Sequence, residues 1–189
     1  MSAALGTAPV RDLAAATAAT TTVSRAIGPV LATATVATGL MSGLFFAFDV
    51  AVMPGLAAGD DRTFVTAMQH INASILNPVF GAVFVGALAM PAVGTWLLHR
   101  SGRRAATLWA AVATLLYFAA LVLTSAVNVP LNDRLAAAGD PAAITDFAAV
   151  REAFAQTWTT ANIARTVLCT AAAVALTRAL LLHRGSSAR

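Results

Sequence analysis

Apolar and polar positions sort along this chain into four long apolar runs joined by short polar segments. The runs extend from Ile27 to about Leu56, from about Ile75 to Leu98, from Ala105 to Val129 and from Asn162 to Leu182. Each reaches the roughly 20 residues that a helix rising about 1.5 Å per residue needs to cross about 30 Å of hydrocarbon. The pattern predicts an all-α integral membrane four-helix bundle over residues 27–183. Residues 1–26, rich in Ala and Thr with no run long enough to bury, read as a disordered tail, and 184–189 as a short basic tail. Arg25 precedes an apolar run too long for the core of a cleaved secretory signal, so the first run reads as a retained span.

Two of the three connections carry a pattern of their own. Asp60 or Asp61 suits the cap of a short helix whose Phe64, Met68 and Ile71 face inward. Asp140-Pro141 suits the start of a second, in which Ile144, Phe147, Val150, Phe154 and Trp158 recur at near-helical spacing and would lie over the bundle mouth.

Composition agrees with lipid as the main solvent: 59% of the residues are apolar, 11% are charged, and the mean hydropathy is +0.77. A soluble domain carries about 25% charged residues. The net charge of +4 comes wholly from arginine, since the chain has no lysine. A sequence pI near 11 would suggest nucleic acid, but the arginines sit in short inter-helix segments without interleaved aromatics, as topology signals do. His99-Arg100-Ser101-Gly102-Arg103-Arg104, with Arg11, Arg25, Arg184 and Arg189, belongs on the cytoplasmic side, and the connections bearing Asp60, Asp61, Asp133, Asp140, Asp146 and Glu152 on the outer side. The expected topology is N-in, C-in, in the plasma membrane. Trp96 and Trp109 flank the basic loop as an interfacial pair.

The polar groups that enter the apolar runs do so at one end. Asp49, Asn77, Thr124, Asn128, Asn132, Asn162 and Arg165 all fall toward the outer side. An unpaired polar group in hydrocarbon costs several kcal/mol, so this convergence predicts a shared pocket or a set of interhelical bonds. Helical spacing places Ser42, Phe45, Phe46 and Asp49 on one face, Asn77, Gly81 and Phe84 on another, Leu121, Thr124, Ser125 and Asn128 on a third, and Trp158, Asn162, Arg165 and Cys169 on a fourth. Gln69, His70 and Asn72 are available from the first outer segment. A structural role competes with each assignment: Asp49 and Arg165 as an ion pair, the asparagines as helix caps or cross-links, His70 as a solvated side chain, and Gly39 and Gly43 as a GxxxG packing face.

Several chemistries drop out. The chain has no GxSxG, phosphate-binding glycine loop, HExxH or CxxC, and its only cysteine, Cys169, rules out an intrachain disulfide. His70, His99 and His183 fall on opposite membrane sides, so a two-histidine haem or metal site is not expected, and a metal at His70 would need carboxylates such as Asp49 to complete it.

Gly-Leu-Phe-Phe-Ala-Phe at 43–48 with Met53-Pro54, the segment Asn128-Val129-Pro130-Leu131-Asn132, and Trp158 followed by Asn162 and Arg165 resemble the anthrone oxygenase-like family of integral membrane proteins. The resemblance covers roughly residues 27–183. It implies a four-helix membrane protein and, as in the few characterised relatives, oxidation of polyketide anthrones to anthraquinones by molecular oxygen with no evident cofactor. The positions that carry over are Asn128, Pro130, Asn132, Trp158, Asn162 and Arg165. On the residues themselves, Asp49 and His70 are the available bases, and Arg165 with Asn128 and Asn162 could hold an enolate oxygen. Phe45, Phe46 and Trp158 would flank the rings, with Asn77 and Asn132 as further binding groups. The partners expected are a hydrophobic aromatic molecule, oxygen and the bilayer, with no nucleic acid, and a homo-oligomer stays open. A non-catalytic carrier for a quinone-like or lipid ligand, or a structural accessory subunit, would use the same features.

Overall fold

The computed structural model describes residues 8–185, with side chains from residue 25 onward. The start of the Ala/Thr-rich tail, 1–7, and most of the basic tail, 186–189, lie outside the described residues. Helix α1 runs Ala8–Ala47 and passes through a π-helical turn, Phe48–Val52, into α2, Met53–Ala57. Then come α3, Asp61–Ile75, α4, Pro78–Arg100, and α5, Arg104–Leu123. A second π-helical turn, Thr124–Asn128, leads into α6, Val129–Ala137, and α7 is Phe147–Gly185. The backbone is thus helical from Ala8 through residue 26, where an irregular tail is expected from the sequence. Alanine has the highest intrinsic helix propensity, which favours extending the span backward.

Four helical stretches are long and apolar enough to cross a membrane among the described residues: Arg25–Ala57, Pro78–Arg100, Arg104–Ala137 and Phe147–Gly185. The chain is a multi-pass membrane protein. Its spans form a closed square in which α1 packs on α4 and α7, and α5 packs on the same two. Small side chains line the seams, among them Ala34, Ala87, Ala110, Ala113, Ala172 and Ala179, all buried. In a membrane, where lipid tails match leucine in polarity, such close backbone approach supplies the packing energy. Gly94 is the tightest point, since a Cβ there would lie 2.9 Å from Leu31 Cδ2. Large apolar side chains such as Leu40, Val85, Leu115, Phe118 and Val167 stand exposed on the outside of the square. That much exposed apolar surface suits lipid and not water.

The two ends differ. At the basic end, Ser101-Gly102-Arg103 turns the chain with Gly102 at φ +69°, and Arg103 Nη1 donates to the His183 carbonyl at 2.6 Å, tying that hairpin to the end of α7. At the opposite end a second apolar core, with Met53, Phe64, Met68, Leu135, Phe154 and Trp158, roofs the bundle. Asp60 caps α3 by accepting from the Thr63 N–H at 2.7 Å, as the sequence suggests, and Phe64 and Met68 face inward. The second expected surface helix is different: Phe147 to Trp158 are the first turns of α7 itself. No helix breaker separates Phe147 from Asn162, so the helix continues. Its cap is Asp146, which accepts from the Ala149 N–H at 2.9 Å, whereas Asp140 holds only a turn through the Ala142 N–H.

Candidate functional site

Both π-helical turns lie at the roofed end, each one residue before an Xaa-Pro step, Met53-Pro54 and Val129-Pro130. A proline ring in an α-helix collides with the carbonyl four residues back and offers no N–H to it. A widened turn just before the ring relieves the collision, and such π-bulges re-aim side chains. Asp49 rides on the first of these turns, Thr124 and Asn128 on the second.

Between them lies a cavity of about 530 Å³, within the range of about 300–1,000 Å³ typical of small-molecule sites. Its apolar walls include Phe45, Phe48, Phe80, Phe84 and Trp158, and its polar groups are Asn72, Asn77, Thr124, Asn128, Asn132, Asn162 and Arg165. Phe80 and Phe84 stack one turn apart with centroids 5.4 Å apart, and Tyr117, at 6.4 Å, meets Phe84 edge-on. Phe48 packs on Trp158 at 5.5 Å.

Arg165 is the charge at the wall, with only 5% of its surface exposed. Its Cζ stands 4.3 Å from the centroid of Phe45 and 5.3 Å from that of Trp158, so aromatic faces replace much of its hydration. Nη2 donates to Asn162 Oδ1 at 2.6 Å and Nη1 to Thr124 Oγ1 at 3.4 Å, while Nε has no hydrogen-bond partner. Asp49 does not meet Arg165 directly. Asn162, fully buried, stands between them, donating through Nδ2 to Asp49 Oδ1 and to the Phe45 carbonyl at 2.8 Å. Thr166 Oγ1 donates to the second oxygen of Asp49. The result is an acid–amide–cation chain that balances a buried charge without closing an ion pair.

The other asparagines divide by role. Asn77 caps α4, its Oδ1 accepting from the N–H groups of Val79 and Phe80 at 3.1 and 3.0 Å. Asn132 accepts from Trp158 Nε1 at 2.8 Å and fixes that ring. Asn128 donates to the Trp158 carbonyl at 3.3 Å, which leaves its Oδ1 unpaired, and Asn72 Nδ2 is unpaired as well. Buried polar groups are nearly always satisfied, so unmatched ones at a cavity mark places where a ligand completes the bonding.

The structure brings together Asp49, Asn162 and Arg165, and sets Phe45, Asn77, Asn128, Asn132 and Trp158 around the cavity. Three expected members do not line the cavity. His70 is exposed on α3, two residues beyond the buried Met68 and so on the opposite side of that helix, and it does not line the cavity. Phe46 is exposed on the flank of the bundle, in a groove with Ser42, Gly43 and Thr170. Successive helical residues point about 100° apart, so Phe45 and Phe46 cannot share one wall. Asp49 likewise faces a separate groove beside Gln156 and Thr160 and reaches the cavity only through Asn162. Phe80 and Thr166 escape the sequence reading, and Phe48 enters it only within the 43–48 segment, not as a cavity residue. The signal for Thr166 is its spacing of four from Asn162, and for Phe80 its spacing of four from Phe84.

Among the described residues no three His, Cys, Asp or Glu side chains gather in a group able to hold a metal. The sequence model of one family, described as anthrone oxygenase, matches residues 64–175, more than half of the chain. The match takes in Asn128–Asn132, Trp158, Asn162 and Arg165 and leaves 43–54 outside it. No curated protein and no solved structure matches the chain.

Proposed function

The chain belongs to the anthrone oxygenase family, and on that premise we propose that its cavity binds a flat, anthrone-type aromatic and oxidises it with molecular oxygen. The observation that carries this reading is Arg165, a buried guanidinium held between Phe45 and Trp158 at the wall of an aromatic slot. An anthrone carries an acidic benzylic C–H across the ring from its carbonyl. Loss of that proton, to a water held inside the cavity by the unpaired Oδ1 of Asn128, moves negative charge onto the carbonyl oxygen, where Arg165 stabilises it. A donor prepositioned at developing charge in a dry site is typically worth about 3 kcal/mol.

The electron-rich carbon then gives one electron to oxygen, and the resulting radical and superoxide combine, with a proton, into a hydroperoxide on that carbon. Loss of water from the hydroperoxide leaves a second carbonyl. Anthrone and one oxygen molecule yield anthraquinone and one water, so both electron pairs are accounted for. Oxygen dissolves well in lipid, which supplies the site. Asp49, through Asn162, is a positioning residue: it orients the amide that holds Arg165 and lies away from the cavity surface.

The test is oxygen uptake by the nanodisc-embedded protein across a panel of anthrones and hydroquinones, with mass spectrometry of bound ligand on the same sample. Uptake with anthraquinone formation that vanishes in Arg165→Ala is the expected result. A retained aromatic ligand with no uptake would move the reading to a carrier.

A further inference from the structure

The cavity has a roof and a floor, and its exposed lining residues, Leu76, Asn77, Pro78 and Val129, gather at one side. The roof is α3, whose Ile71, Asn72 and Ile75 face the cavity. It is held shut from above, because Gln69 Nε2 donates across to the carbonyls of Leu135 and Gly139 at 2.9 and 3.2 Å, joining α3 to the end of α6. Phe64, Val65 and Met68 seal the space beneath that tie with Leu131 and Leu135. The floor is formed by Leu44, Phe45 and Phe84, none of them exposed.

What remains is a gap between the α3–α4 corner and the start of α6, whose rim is apolar apart from Asn77, an exposed side chain turned to cap α4. Leu76 is 80% exposed and Val129 44% exposed, and both line the cavity. Beside them Val79 is 75% exposed. The height of this rim follows from the helices. Counted from Arg100 at the basic end, α4 rises about 33 Å over its 23 residues to Pro78, and α5 with the π-helical turn after it rises about 37 Å from Arg104 to Val129. Both sides of the gap therefore stand at or a few ångströms beyond the far edge of a hydrocarbon layer about 30 Å thick, where the chains meet the headgroups. Floor residue Phe84 lies six residues, about 9 Å, deeper.

We infer that the cavity is loaded sideways from the adjacent membrane leaflet, through the gap between Leu76–Pro78 and Val129, so that its ligand is an aromatic molecule dissolved in lipid. This rests on the cavity being the ligand site of the proposed function, but not on any oxygen chemistry. The roof turns water away, while the exposed leucine and valines present an apolar threshold that lipid chains and lipid-soluble rings cross without desolvating polar groups.

Trp158 reports on the opening because it lines the cavity and is only 4% exposed. Trp96→Phe and Trp109→Phe, both at exposed positions, leave it as the sole tryptophan. That variant is placed in vesicles of phosphatidylcholine brominated near the glycerol end of its chains, and separately in unbrominated vesicles with iodide in the water. A lateral opening predicts that brominated lipid removes most of the Trp158 emission and that iodide leaves it unchanged. Val129→Phe, which fills the gap at an exposed side chain, should restore the emission in brominated lipid without lowering the unfolding temperature. Quenching by iodide, no quenching by either agent, or bromine quenching that Val129→Phe leaves intact would each overturn the inference. The readout needs no turnover, so it fails or succeeds separately from the oxygenase assay.

Discussion

Arg165 concentrates the site's chemistry in one side chain, and its two replacements separate charge from shape. Arg165→Ala should lower kcat by about 100- to 1,000-fold in the uptake assay, the usual effect of losing one oxyanion donor. Arg165→Lys keeps the charge but loses the flat guanidinium that stacks on Phe45 and donates to Asn162 and Thr124. Its kcat should lie nearer that of Ala than of the native protein. Arg165→Ala also strips the buried Asn162 Oδ1 of its donor, at a cost of about 1–3 kcal/mol, so its unfolding temperature should fall, and kcat is compared below the temperature at which that variant unfolds. Gly94→Ala separates stability from turnover: its Cβ would press on Leu31, which is fully buried, so thermal unfolding should show a loss of about 1–3 kcal/mol with the site's kcat preserved. Single residues are also where the sequence is least legible. Asn162 and Arg165 stand out because polar groups are rare in spans, but Phe45 and Phe46 are equally apolar neighbours, and only the helix phase separates cavity from lipid.

Elements explain why that phase is hard to read. In a strip where nearly every side is apolar, periodicity carries little information, and the π-helical turns at Phe48–Val52 and Thr124–Asn128 add a residue that shifts all later faces. The prolines behind them are visible in the sequence, yet a proline signals a break or kink without saying how wide the turn before it becomes. Pro130→Ala tests the link. An N–H at 130 lets the helix return to α register and rotates Asn128 and Thr124 off the cavity wall. Unfolding temperature should hold or rise while affinity for an anthraquinone, read by Trp158 quenching, falls. Helix α3 offers a second test through its cap. Hydrogen bonds from the Thr63 N–H and hydroxyl hold the Asp60 carboxyl below its ordinary value of 3.8. A carboxyl lowered on folding stabilises the native state fully above that ordinary value and loses the effect as pH falls through the lowered one. Asp60→Ala should therefore lower the unfolding temperature at neutral pH, and the gap to the native protein should close in strong acid.

At the scale of the whole molecule the four spans are the most legible feature, since length and composition alone decide them, and the closed square follows from short connections between neighbours. The roof is less legible because the amphipathic period of Phe147–Trp158 reads as a separate surface helix, although no breaker divides it from Asn162, and it packs on Phe64 and Met68 as the start of α7. Orientation follows from charge. The basic end holds Arg25, Arg100, Arg103, Arg104 and Arg184 with no carboxylate among residues 25–48, 80–125 and 166–185, whereas the roofed end carries Asp60, Asp61, Asp133, Asp140, Asp146 and Glu152. Arginine in short loops is retained on the cytoplasmic side, so the roof and its lateral gap should face outward. Cys169 is buried and is the only native cysteine, so Cys169→Ala gives a silent background. On it, Ala143→Cys in the roofed connection should react with a membrane-impermeant maleimide on intact cells, and Ser101→Cys in the basic hairpin only after permeabilisation. The reverse pattern would put the arginines outside and require the cavity to draw its ligand from the cytoplasmic leaflet.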